Sequence, residues 1–478
     1  MCFRAKDDIG GRHVTGGIPG SGYSEAQKLS CTGSAGDPAV PVPSFASWML
    51  EQEARALLTR LALVKPLALE GPMVPAAGLL PAPQIAIERF LTSGRRHLRT
   101  LVEEFLDWLR SPLAGKADAE EAQRRFTMLR LRFNRVLTHF DLFDNVVAQR
   151  SDAETGVRLS GLDNVSADAL YLRGGYYEAP PVVCYLDRGM GAAIRRARTR
   201  LPLGGLNPVA IIKIPRERMV GNGIASSLFH ECGHQAAALL GLLESLRPVL
   251  RRMVQSGRSD NVAWSYWERW ISEIVADLWS VARVGIASTM GLMGVVSLPR
   301  PFVFRLSPND PHPAPWIRVK LSVAMGRAFY PQPAWDGLVE LWESYYPIED
   351  LDSERRATFA QLERSIPALV DMLVNHRPPV LRGASLIEAL DLDELLPARL
   401  QALLHYWRRV PQHMYRMRPI VAFAAIGQGR VDGRITPEEE STVIGKLLSY
   451  WALQSTLQAA DQCGQLIGPV TLSAQFAA

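Results

Sequence analysis

Two histidines four residues apart, with a glutamate directly after the first, form the part of this sequence that most clearly indicates chemistry. They are His230, Glu231 and His234. On an α-helix, residues i and i+4 share a face, so the two imidazoles can hold one metal ion together. Glu231 lies about 100° round the helix from His230, which lets it reach a metal-bound water without being a ligand. The pattern indicates zinc-dependent hydrolysis.

The sequence around this motif favours a metal site over a chance match. With 9 histidines in 478 residues, a random His-Glu-x-x-His arises in roughly one such chain in a hundred. The surrounding apolar residues predict a largely buried helix from about Ile224 to Leu246. Two structural core histidines are the alternative. Between the ligand positions, Cys232 is predicted to be a packing residue and Gly233 a point of close approach.

A catalytic zinc needs a third protein ligand, and a second apolar helix offers one. Residues 270–279 read as a helix that carries two acids on one face, Glu273 and Asp277. Burying such a pair is costly unless a cation lies opposite. We predict Glu273 as the third ligand and Asp277 as the acceptor for the free ring N–H of a zinc-bound histidine. An exposed acidic edge, or an ion pair with an arginine, is the alternative; Glu268 is a weaker ligand candidate.

These helices resemble the gluzincin metallopeptidases, which pair His-Glu-x-x-His on one helix with Glu-x-x-x-Asp on a second. A third segment, in which His312-Pro313 is followed by Arg318, looks like the His-Pro…Arg element of the CAAX prenyl protease and HtpX-type branch. The resemblance implies that His312 and Arg318 face the active site and stabilise the oxyanion, as a fixed donor can. A proline-rich turn is the alternative role for His312.

The resemblance covers about residues 228–319 and does not extend to a membrane location. Relatives in that branch are commonly embedded in membranes, whereas the most apolar stretch here, residues 284–298, is too short to span one. We expect it to be a buried helix or loop behind the site. Substrates tied to membranes are therefore not carried over to this chain.

The fold class predicted is α+β and predominantly helical: a zincin-like metallopeptidase core with a small sheet, flanked by N- and C-terminal helical regions. The predicted divisions are a disordered segment over 1–45, a helical region over 46–150, the core over 151–345 and a C-terminal helical region over 346–478. Residues 181–186 and 209–214 read as strands. Residues 211–216 would form an edge strand beside the zinc helix, able to bind an extended substrate or merely to avoid aggregation.

Composition excludes several classes of function. A formal net charge of +5, 47% hydrophobic and 21% charged residues are ordinary globular values. The arginines of the predicted helix over 119–150 favour a solvated face over nucleic-acid binding; they are Arg124, Arg125, Arg130, Arg132 and Arg135. Five scattered cysteines predict no disulfide framework. The absence of a secretory signal pattern favours the cytoplasm, with export by a non-classical route left open.

Near the C-terminus, residues 432–440 mimic half of a calcium-binding loop. Gln428 and Arg430 occupy positions that would need oxygen ligands, so a calcium site is not expected. Instead, Thr436, Pro437 and Glu439 predict a capping box that begins the last helix.

The function predicted is a zinc metalloendopeptidase with one Zn²⁺ per chain, held by His230, His234 and Glu273. Zinc would lower the pKa of its water towards 7, and Glu231 would take the proton and pass it to the leaving amine. The substrate would be a protein or peptide, and the helical flanks could bind a protein partner. The alternatives are a catalytically silent zincin-like scaffold, and a protease effector or toxin delivered by another system.

Overall fold

Helices make up 76% of the computed structural model, which also contains a small three-stranded sheet. The residues described are 44–63, 74–114, 118–189, 191–201, 205–219, 221–255, 261–307 and 309–467. The segment predicted to be disordered, 1–45, lies outside them except for Ser44 and Phe45, which begin the first helix. The predominantly helical α+β class is confirmed.

Three helices near the N-terminus form one hydrophobic cluster. They are α1 Ser44–Leu63, α2 Pro81–Arg110 and α3 Ala119–Ala148. Pro81 supplies a preset φ at the first turn of α2, and the Asp118 carboxylate caps α3 by accepting the Glu121 N–H at 2.7 Å. Apolar residues at helical spacing face inward, whereas the five arginines predicted to be solvated are all exposed.

The sheet separates this cluster from the larger core. Its strands are β1 Val182–Asp187, β2 Ala193–Arg195 and β3 Ala210–Pro215, in the order β1-β3-β2. β3 pairs parallel with β1, Val182 opposite Ala210, and antiparallel with β2, Ile194 opposite Ile212. Alternate side chains point to opposite cores, Ile211 to the N-terminal helices and Ile212 to the larger core. Burial on both faces explains the continuous apolar runs that predicted β1 and β3.

The prediction that residues 211–216 form an edge strand is wrong. β3 is the central strand, and the edge on that side of the sheet is β2. β2 has only three residues, which is too short for an alternating apolar pattern to reveal it.

One helix, α4 Ala153–Leu170, precedes the sheet, and six follow it: α5 Gly221–Leu240, α6 Leu242–Gln255, α7 Asn261–Val284, α8 Ile286–Val296, α9 Arg300–Val303 and α10 Pro315–Phe329. Of these, α5, α7 and α10 carry residues of the predicted site. Helix α5, which carries the two histidines and was predicted to run to Leu246, ends at Leu240 because Gly241 adopts a positive φ of 62°. Buried α8 matches the expectation of a short apolar helix behind the site. No helix among the described residues is long and apolar enough to cross a membrane.

The C-terminal helices pack onto the same core as α5 and α7. They are α11 Ala334–Tyr345, α12 Ser353–Val374, α13 Leu386–Leu390, α14 Pro397–Arg409, α15 Pro419–Val431 and α16 Pro437–Ile467. One continuous hydrophobic cluster runs from Leu159 on α4 to Trp451 on α16. The predicted capping box is confirmed: Glu439 Oε2 accepts the Thr436 N–H at 2.9 Å, and Thr436 Oγ1 accepts the Glu439 N–H at 3.3 Å.

Candidate metal centre

Gly233 brings the two site-bearing helices, α5 and α7, into close contact. A Cβ atom at this position would lie 2.7 Å from both the Cα and the carbonyl oxygen of Ala276. Only glycine therefore allows the α5 backbone to approach α7 this closely. The histidines of α5 and the acids of α7 lie within one helical turn of the contact between Gly233 and Ala276, which explains why their side chains are close together. Cys232, beside it, is fully buried, as a packing residue should be.

Two histidines and one glutamate form a group that could hold a metal ion. His230 Nε2 lies 3.2 Å from Glu273 Oε2, His234 Nε2 lies 3.7 Å from the same oxygen, and the three donor atoms lie within 4.8 Å of one another. Ligands of a tetrahedral zinc at ~2.0–2.1 Å are separated by about 3.3 Å. The separations of 3.2 and 3.7 Å are close to this value, and the donor set is one that such an ion accepts.

Asp277 lies behind this group, on the far side of the His230 ring. Its Oδ1 atom is 2.8 Å from His230 Nδ1, so an ionised Asp277 accepts the Nδ1 proton and leaves Nε2 directed at the metal position. Arg318 on α10 donates from Nε to Oδ2 at 2.7 Å and from Nη2 to Oδ1 at 2.9 Å. The sequence suggested two roles for Asp277, as a hydrogen-bond acceptor for a histidine and as the partner of an arginine. In the structure it has both.

His312 approaches the same group from the loop before α10. Its Nε2 lies 3.3 Å from Glu273 Oε2, while its Nδ1 lies 2.9 Å from Asp310 Oδ1, an oxygen that also accepts the His312 backbone N–H at 3.0 Å. Asp310 thus fixes the ring orientation. Both roles considered for His312 are therefore seen in the structure: the residue lies in a proline-rich loop, and its ring lies at the site.

Glu231 lines the cavity beside the metal group. The cavity encloses about 80 Å³ and is also lined by His230, His312 and Arg318. Glu231 is buried. Burial raises the pKa of its carboxyl, and the nearby histidines only partly offset this effect. A carboxyl with a raised pKa can both accept and return a proton nearer neutral pH.

The two buried acids of α7, Glu273 and Asp277, are kept ionised by their neighbours. Burial opposes their charge, but hydrogen bonds from His230 and His234 hold the pKa of Glu273 well below its usual range. Arg318 and His230 likewise hold the pKa of Asp277 below its ordinary value, against burial. For His230, burial disfavours the charged ring, yet Asp277 and Glu273 outweigh it and raise its pKa to about 10. The negative charge of the two carboxylates, Glu273 and Asp277, favours the binding of a cation.

All seven residues predicted for the site lie in this one region of the fold: His230, Glu231, His234, Glu273, Asp277, His312 and Arg318. The weaker candidate, Glu268, instead pairs with Arg251 at 3.3 Å. Sequence reasoning assigned no role to Asp310, although its position two residues before His312 was a usable signal. It also missed Arg218, which lines the cavity; no local pattern placed it there.

No family model, curated protein or solved structure matches this chain.

Proposed function

We propose that this protein is a zinc metalloendopeptidase of the gluzincin type that hydrolyses protein or peptide substrates. The observation that carries the proposal is the convergence of His230, His234 and Glu273 on one point, with Asp277 bonded to the ring of His230. Three protein donors would leave a fourth coordination position open, as in catalytic rather than structural zinc sites.

The donor set supports zinc as the metal. Two imidazole nitrogens and one carboxylate oxygen are ligands that zinc accepts readily, and this combination recurs in zinc hydrolases. A zinc ion bound there would supply a Lewis acid for the hydrolysis of the peptide bond.

Glu231 is proposed as the general base and acid. It lies on the zinc helix beside His230 and lines the same cavity. We propose that it takes a proton from the attacking water and returns it to the leaving amine. The raised pKa of its carboxyl favours this return. A silent scaffold would have no need of an acid at this position.

His312 is proposed as the donor that stabilises the oxyanion. Its Nε2 faces the metal group, and Asp310 fixes the ring through Nδ1. Arg318 was predicted to share this role, but two of its donors are bound to Asp277. We therefore propose that Arg318 acts by holding Asp277.

The edge strand β2 is the proposed site for an extended substrate. Gly191 and Ala192, which precede β2, line the cavity that contains His230 and Glu231. An edge strand offers unpaired backbone groups to which a peptide can add as a further strand. This role replaces the one predicted for residues 211–216.

Hydrolysis of an unstructured protein by the zinc-loaded chain tests the proposal, with Glu231→Gln as the matched variant. We expect Glu231→Gln to retain zinc and to lose hydrolysis by roughly 10²–10⁴-fold. Full turnover by Glu231→Gln would remove Glu231 from the chemistry. If the zinc-loaded protein cleaves no member of a broad panel of unstructured proteins, the scaffold alternative replaces the peptidase.

A further inference from the structure

A groove lies between α14 and the start of α15, outside the candidate metal centre. It has a volume of about 440 Å³. Most of the side chains that line it are apolar or aromatic: Ala402, Leu403, Tyr406, Met417 and Val421. The residues of the candidate metal centre line a different cavity, so the proposed chemistry does not use this surface.

The groove continues an exposed apolar face of α14. Leu396 directly precedes the helix and Val410 directly follows it, and both are 37% exposed, while Tyr406 between them is 43% exposed. Together with Leu403, these residues recur at intervals of seven, three and four, which places them on one side of the helix. From Leu396 to Val410 the face extends about 21 Å, at ~1.5 Å per residue. An exposed apolar face of this length indicates a surface that a partner covers.

The aromatic wall of the groove is held in place by its neighbours. The Tyr406 ring contacts the His413 ring edge-on, with their centroids 4.9 Å apart and their planes at 84°. His413 lies in the helical turn Pro411–Arg416, and its Nδ1 accepts the indole N–H of Trp407 at 3.3 Å. Because this wall is already ordered, the protein loses little conformational entropy when a ligand packs against it.

The residues around the groove carry positive charge. Residues 395–418 contain no aspartate or glutamate but include five arginines: Arg399, Arg408, Arg409, Arg416 and Arg418. Glu394, the one acid among the described lining residues, is paired with Arg418 at 3.1 Å. Arg399 Nη1 and Arg408 Nη2 instead donate to backbone carbonyl oxygens, and neither arginine forms an ion pair with a described carboxylate. The electrostatic potential at the groove therefore favours an acidic ligand.

We propose that this groove binds an acidic amphipathic helix of a partner protein. The apolar face of such a helix, with side chains at i, i+3, i+4 and i+7, packs against Leu403, Tyr406 and Met417. Its acidic side chains pair with Arg399 and the neighbouring arginines. A helix fits better than an extended peptide, because the described walls are helical and offer no strand edge to which a peptide could add. This inference does not depend on the proposed peptidase function.

Selection of a phage-displayed library of random peptides on the parent protein tests the proposal. Peptides of about 16 residues are long enough as helices, at ~1.5 Å per residue, to span the exposed face. We expect the enriched sequences to share a net negative charge and apolar residues at helical spacing. One enriched peptide, labelled with fluorescein, is then titrated with the parent and with each variant, and its fluorescence anisotropy gives the Kd.

Arg399→Glu and Tyr406→Ala should each weaken the binding of this peptide by roughly tenfold or more, because the first reverses a charge and the second removes the aromatic wall. Both side chains are exposed, so the variants should unfold at the same temperature as the parent. Arg364→Glu is the control, since it makes the same charge change at an exposed residue of α12 that does not line the groove. It should bind the peptide like the parent.

Enriched peptides that are basic or neutral would overturn the proposal, as would an acidic peptide that binds Arg399→Glu and Tyr406→Ala as tightly as the parent. Equal binding of a peptide whose acids are replaced by their amides would do the same. If dodecanoate or a single-stranded oligothymidylate binds with this dependence on Arg399 and Tyr406 while no acidic helix is selected, the groove takes an anionic amphiphile or a nucleic acid instead. Removal of zinc should leave the Kd unchanged, so a failure here does not affect the peptidase proposal.

Discussion

Arg318 and Asp277 form a buried, two-point ion pair that is joined directly to the candidate metal centre. The guanidinium donates twice to the carboxylate, at 2.7 and 2.9 Å, and Asp277 Oδ1 also lies 2.8 Å from His230 Nδ1. Arg318 on α10 thus orients Asp277 on α7, and Asp277 in turn orients His230 on α5. Loss of a side chain that orients a metal ligand in this way typically weakens metal binding by about 10–100-fold.

Asp277→Asn should weaken zinc binding by about 10–100-fold, because an amide is a poorer acceptor for the His230 ring proton than a carboxylate. Competition with a chromophoric chelator measures the affinity. Glu268→Gln, on the same helix but paired with Arg251, is the control and should bind zinc like the parent. Equal affinities in Asp277→Asn and the parent would remove Asp277 from the metal centre.

Arg318→Ala should lower the free energy of unfolding of the metal-free protein by about 3–5 kcal/mol, because it leaves the buried Asp277 carboxylate without its main partner. Denaturant unfolding measures this loss. Arg318→Lys retains the charge but not the paired donors, and we expect it to weaken zinc binding as well. If Arg318→Lys lowers kcat alone, with zinc affinity and stability unchanged, then Arg318 acts on the substrate and not through Asp277.

Gly233→Ala should both destabilise the fold, by about 1–3 kcal/mol, and weaken zinc binding. The added methyl group would lie 2.7 Å from the Ala276 backbone and would push α5 away from α7. Gly445→Ala on α16 is the matched control, since its Cβ would meet nothing within 4 Å; it should stabilise by up to about 1 kcal/mol. Unaltered zinc affinity in Gly233→Ala would show that the helices need not approach so closely.

Zinc binding should release a proton from His230 over a wide range of pH. In the metal-free protein its pKa is raised from 6.5 to about 10, so the ring is charged at neutral pH and must lose a proton to bind the ion. A raised histidine pKa also stabilises the metal-free fold fully below about pH 6.5, and this stabilisation is lost as the pH rises towards 10.

Calorimetry of zinc binding at pH 8, repeated in buffers of different ionisation enthalpy, counts the protons released. We expect about one per zinc ion from this group, and fewer when Asp277→Asn lowers the pKa of His230. Binding heats that do not depend on the buffer would contradict the raised pKa.

Local patterns in the sequence predicted much of the helical structure and the ligand group. The helix predicted over 119–150 agrees with α3, Ala119–Ala148, because the spacing of apolar residues acts within the helix itself, and His230 and His234 were paired because i and i+4 share a face. Contacts between segments that are far apart in the sequence could not be predicted from local patterns. Arg318 contacts Asp277, 41 residues away in the sequence, and nothing near Arg218 in the sequence indicates the cavity that it lines. β2 was missed because three residues carry too little pattern, and so the central strand was taken for an edge.

The zinc content per chain, measured by elemental mass spectrometry on the parent, Glu273→Ala and Glu268→Ala, tests the central claim most directly. The account predicts one tightly bound zinc in the parent and in Glu268→Ala, and far less in Glu273→Ala. An absence of metal from the parent after zinc is added back, or a full complement in Glu273→Ala, would contradict the three-ligand centre on which the proposed chemistry depends.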